Sequence, residues 1–90
     1  MSTELRPTRV LIVDDEPLAR AHMRELLADV GGVEVIGECG DGRDAVRRIR
    51  AEAPDLVLLD VQIPELDGFG VVHEVGAALM PMVIFVTAHD

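Results

Sequence analysis

Ninety residues with 49% hydrophobic side chains and a net charge of −9 make one small globular domain, not a disordered chain. That acidity argues against direct contact of this segment with DNA, RNA or an anionic membrane. A single cysteine, Cys39, excludes an internal disulfide and a cysteine-built zinc site. That cysteine usage makes a reducing cytoplasm the expected location, and no apolar stretch is long enough to span a bilayer.

In chain order, residues 1–8 form a polar lead-in. Val10-Leu11-Ile12-Val13 marks a first strand over residues 9–14. A helix follows from near Glu16, with Asp15 or Glu16 near its cap and Pro17 in the first turn. Ala19, Met23, Leu26, Leu27 and Val30 share its apolar face, and Gly31-Gly32 stops it. Residues 33–36 form a short strand that suits a sheet edge, and Gly40-Asp41-Gly42 is a turn. A second helix spans residues 43–53 and ends before Pro54. Its Ala45, Val46 and Ile49 point inward, and its arginines form a solvated face. Leu56-Val57-Leu58-Leu59 carries a third strand over residues 55–60. A loop through Gln62, Ile63, Pro64 and Glu65 leads to a third helix over residues 66–78, weakened by its glycines. Residues 82–86 form a fourth strand, with Thr87 at its carboxyl end. With Trp and Tyr absent, aliphatic side chains and two phenylalanines must fill the core. The βαβαβαβ order predicts an α/β fold: a parallel sheet with right-handed crossovers and helices on both faces.

The first and third strands both end on aspartate, at Asp14-Asp15 and at Asp60. Ligands of open parallel sheets lie beyond the carboxyl ends of the strands. If the two strands are neighbours, three carboxylates converge. Bare carboxylates repel and are driven to take up protons. A hard divalent cation resolves that conflict, and Mg²⁺ suits a site that also handles phosphate. Taken singly, each residue has a plainer reading. Asp14-Asp15 can cap the helix, Asp60 can end a strand, and Thr87 is an ordinary β-former. His22 and His73 show no paired metal-ligand spacing, Asp67-Gly68 suits a turn, and Cys39 suits an inert packed position.

The motifs Val13-Asp14-Asp15-Glu16-Pro17, Leu58-Leu59-Asp60, Pro64-Glu65-Leu66-Asp67-Gly68 and Val86-Thr87-Ala88 occur in order. Together they resemble the receiver domain of two-component response regulators. The stretch Asp15-Glu16-Pro17-Leu18-Ala19-Arg20 looks most like regulators with a LytTR-type DNA-binding output. The resemblance implies a flavodoxin-like (CheY-like) three-layer α/β/α fold with strand order 2-1-3-4. It also implies roles. Asp60 is the phosphoacceptor, Asp15 a direct Mg²⁺ ligand, and Asp14 the holder of metal-bound water. The backbone carbonyl of Gln62 is a further metal ligand, and the Thr87 hydroxyl binds the phosphoryl group. The implied donor is a histidine kinase, and the implied function is phosphoryl acceptance that controls an output, transcription, carried elsewhere.

The family continues past the fourth strand with further helices and a fifth strand that carries a lysine and a switch aromatic. This sequence has no lysine. Residues 9–90 are therefore expected to form an incomplete receiver, its N-terminal three-quarters. The alternative function is a receiver-like binding or dimerisation module that accepts no phosphate. An enzyme is not expected. An aspartate-based phosphohydrolase ranks last, because Gln62 stands where its second acid belongs. An exposed, uncharged fourth strand predicts self-association as a dimer or swapped oligomer.

Overall fold

The computed structural model describes residues 6–86. Seven elements follow in order: β1 (Thr8–Val13), α1 (Pro17–Ala28), β2 (Val33–Cys39), α2 (Gly42–Glu52), β3 (Leu56–Asp60), α3 (Gly68–Val75) and β4 (Met82–Val86). All strand pairs are parallel and the sheet order is β2-β1-β3-β4. This is the flavodoxin-like order expected from the sequence. Among the described residues, no helix is long and apolar enough to cross a membrane.

The two central strands explain the layering. Their side chains alternate between the sheet faces. Leu11, Val13, Val57 and Leu59 pack with Ala45, Val46 and Ile49 of α2 and with Val71 and Val75 of α3. Val10, Ile12 and Leu58 pack on the other face with Met23 of α1. Val10, Leu11, Ile12, Val13, Val57 and Leu59 are wholly buried. Each such aliphatic side chain contributes about 1.5–3 kcal/mol relative to exposure. A strand apolar on both faces belongs in the middle of a covered sheet, and that fixes β1 and β3 as neighbours.

Some boundaries differ from the sequence expectation. β2 runs to Cys39, not Ile36, because its register with β1 shifts between Val10 and Leu11 and pairing resumes at Gly37. Gly37 also makes room for Arg48, whose guanidinium Nη2 lies 2.1 Å from where a Cβ would stand. α1 ends at Ala28, and Leu26 and Val30 are 57% and 66% exposed, not inward. Ala19, Met23 and Leu27 make the inward stripe instead. Leu26 is one residue off that stripe, a rotation of about 100°, and Val30 lies past the helix end. α3 is shorter than residues 66–78. Asp67 caps it by accepting from the Gly70 N–H at 2.8 Å, and Gly76 at φ 90° ends it.

Candidate metal and phosphoryl site

Val13 pairs with Leu59 across β1 and β3. The next residue on each strand is an aspartate, so strand pairing alone sets Asp14 beside Asp60. Asp14 is fully buried and Asp60 is 5% exposed, while Asp15 lies open to solvent. One carboxylate oxygen from each of the three lies within 4.8 Å of the others.

Nearly every polar group of Asp14 is paired. Its N–H donates to the Cys39 carbonyl at 3.0 Å. Its carbonyl accepts from Arg20 Nη1 at 2.6 Å. Its Oδ1 accepts from the Glu16 N–H at 2.9 Å. Its Oδ2 is buried and has no hydrogen-bond partner among the described residues. Burial pushes the Asp14 carboxyl above its ordinary value; the Glu16 N–H opposes this, and the charges of Asp60 and Asp15 add to it. An orphaned buried carboxylate oxygen beside two more carboxylates fits a hard cation with all-oxygen ligands. Asp14, Asp15 and Asp60 have the chemistry to hold Mg²⁺.

The loop after Asp60 is held closely. The Gln62 N–H donates to Asp60 Oδ1 at 3.0 Å. The Gly68 N–H returns to the Val61 carbonyl at 2.9 Å, and a Cβ on Gly68 would stand 2.9 Å from the Asp60 carbonyl oxygen. Ile63 is buried and anchors the loop in the core. The Gly42 N–H, opening α2, donates to the Pro64 carbonyl at 3.1 Å. Asp67-Gly68 thus makes the turn expected of it, and Asp67 caps α3 as well.

The structure brings Asp14, Asp15 and Asp60 together and sets Gln62 two residues past Asp60. Thr87 lies outside the described residues. His22 and His73 are exposed and outside the acidic cluster. Cys39 is buried, and burial pushes its thiol up to about 12, consistent with an inert packed residue. Arg20 and Glu38 escaped the sequence reading. Arg20 Nε donates to Glu38 Oε1 at 3.0 Å and Arg24 Nε to Glu38 Oε2 at 2.6 Å. The four-residue spacing of Arg20 and Arg24 on one helix was the available signal, but their shared acid lies on another element.

A four-stranded parallel sheet in this order, with carboxylates gathered beyond two central strands, is the arrangement of a receiver domain. The comparisons agree. Residues 10–90 match the response regulator receiver domain, and the chain belongs to that family; it is the receiver domain of a response regulator in two-component signalling. It is 40% identical over 82 residues to a response regulatory protein of Yersinia pestis, covering 91% of this chain and 34% of that protein. It is 39% identical over 82 residues to the transcriptional regulatory protein BtsR of Salmonella typhi, with the same coverage. The chain therefore spans about a third of the length of these curated relatives. The signal receiver domain of the response regulator NarL from Mycobacterium tuberculosis superposes with a TM-score of 0.84 at 38% identity. That match covers 94% of this chain and 69% of the other.

Proposed function

We propose that residues 9–90 act as a phosphoryl-accepting receiver in which Asp60 takes a phosphoryl group from a histidine kinase. The observation that carries this is the buried Oδ2 of Asp14, unpartnered among the described residues, in a carboxylate cluster that includes Asp60. In the transfer, an Asp60 oxygen bonds to phosphorus as the bond from phosphorus to the kinase histidine nitrogen breaks, leaving an acyl phosphate. The Gln62 N–H holds Asp60 Oδ1 and so fixes the carboxylate plane while the other oxygen reacts. Asp14, Asp15, Asp60 and the Gln62 carbonyl are assigned to Mg²⁺, which when bound offsets charge on the phosphoryl oxygens. Thr87 is assigned the hydrogen bond to the phosphoryl group. The output is assigned to transcription, carried by another part of the polypeptide, in line with the regulatory relative named above.

The β4 edge adds a second partner, another copy of this chain. Among the described residues β4 is an edge strand, and its Met82, Ile84 and Phe85 are 70%, 49% and 40% exposed. An apolar edge with free backbone groups pairs with other strands.

Incubation with acetyl phosphate and Mg²⁺, read by intact mass, tests the phosphoryl reading. The wild type should gain one phosphoryl group and Asp60→Asn none. Equal labelling of both proteins, or no labelling of a folded wild type, would sink it.

A further inference from the structure

We infer that Arg20 is a positioning residue for the acidic site, holding the Asp14 main chain so that the Asp14 and Asp15 carboxylates are set for a divalent cation. This rests on the cation-site reading above. Arg20 lies in the first turn of α1, where its N–H donates to the Glu16 carbonyl at 3.1 Å. Its side chain reaches back across the start of the helix. Nη1 donates to the Asp14 carbonyl at 2.6 Å and Nε to Glu38 Oε1 at 3.0 Å. One planar guanidinium thus ties the end of β1 to β2, a reach that needs two donors in fixed relation.

The anchor is itself held. Glu38 also accepts from Arg24 Nε at 2.6 Å, and these pairings, led by Arg24, keep its carboxyl below the ordinary value. The Arg20 side chain is only 21% exposed, so this is not a loose surface pair of little worth. The Asp14 peptide is gripped from both ends: the Cys39 carbonyl takes its N–H and Arg20 its carbonyl. With the main chain so fixed, the Asp14 carboxylate is held against the Glu16 N–H, and Asp15 follows directly.

Arg20 also carries a positive charge close to a proposed cation site. Charge and clamp act with opposite sign. If only charge mattered, removing the guanidinium would tighten cation binding. If the clamp matters, its removal loosens the ligands and weakens binding, typically by about tenfold or more for residues that orient metal ligands.

The test is a Mg²⁺ titration of isotope-labelled protein followed by amide NMR, on wild type, Arg20→Ala, Arg20→Lys and Arg24→Ala. Arg20→Ala should bind Mg²⁺ about tenfold more weakly. Arg20→Lys should also weaken binding, because one ammonium cannot serve both Asp14 and Glu38. Arg24→Ala touches Glu38 but not Asp14, and should stay within about twofold of wild type, well short of the orienting-residue loss. Without Mg²⁺, the Glu16 amide should exchange faster in Arg20→Ala than in Arg24→Ala. Equal or tighter Mg²⁺ binding by Arg20→Ala would overturn the inference. A wild type that binds no Mg²⁺ while Glu16 exchange still responds to Arg20 would sink the cation-site reading and leave the clamp. No binding together with unresponsive Glu16 exchange would sink both.

Discussion

Asp14 and Asp60 stand side by side one residue past the Val13–Leu59 pair, the first fully buried and the second nearly so. They are 46 positions apart in the chain, and only the parallel pairing of β1 with β3 makes them neighbours. With Asp15 they hold three carboxylate oxygens within 4.8 Å. This cluster works against the fold that builds it. Buried like charges cost stability unless something of opposite charge joins them.

The first consequence is a pH-dependent cost that an amide should relieve. The Asp14 carboxyl is raised above its ordinary value of 3.8, first by burial and then by Asp60 and Asp15. Above that ordinary value the folded state keeps a proton that the unfolded chain releases, so stability falls as pH rises through the window up to the folded value. In Asp14→Asn the new amide can donate to the neighbouring carboxylates. Without divalent cations at neutral pH, this variant should be more stable than wild type and melt at a higher temperature, because it removes a buried charge that burial and Asp60 disfavour. The gap should close as pH falls below 3.8. Thermal melts across that range check it, and a less stable Asp14→Asn at neutral pH would contradict it.

Gly42 opens α2 against the loop that follows Asp60. A Cβ there would stand 1.8 Å from the Leu66 carbonyl oxygen, and the Gly42 N–H is already bound to the Pro64 carbonyl. Backbone meets backbone, so neither side can yield cheaply. Gly42→Ala should lose about 3 kcal/mol or fail to fold. Gly40→Ala meets only Arg20 Nη1 at 3.6 Å and should be near neutral. Urea midpoints of the two variants give the comparison, and equal midpoints would contradict it.

Much of this arrangement was legible beforehand. Apolar runs of Val, Ile and Leu ending on aspartate marked β1 and β3 as central strands, and their pairing made the acidic cluster foreseeable. Period alone misjudged Leu26, because α1 offers the sheet a narrower stripe than its apolar positions suggest. Gly76 and the Asp67 cap set α3 short, and both were visible as residue types without a fixed position in the helix. Ile36 hid the length of β2, since a register shift leaves no mark in composition. The Arg20–Glu38 contact was out of reach because its partners meet only after β1, α1 and β2 have packed together.

The edge of the sheet makes a separate prediction. Ile84 lies in the middle of β4 and is half exposed. A charge on an edge strand discourages pairing with another chain. Ile84→Lys should shift the protein toward a monomeric mass by light scattering, with the wild type larger at the same concentration. A monomeric wild type would remove the case for self-association through β4.

The most direct test of the central claim, that Asp14, Asp15 and Asp60 form one cation site, is a thermal melt with and without Mg²⁺ on wild type and Asp60→Asn. A cation that binds only the folded state stabilises it by mass action, by about 2.7 kcal/mol at a hundredfold excess over Kd. The account predicts a clear rise in Tm for the wild type and a much smaller one for Asp60→Asn. A cooperative wild-type melt blind to Mg²⁺, or equal shifts in both proteins, would contradict it.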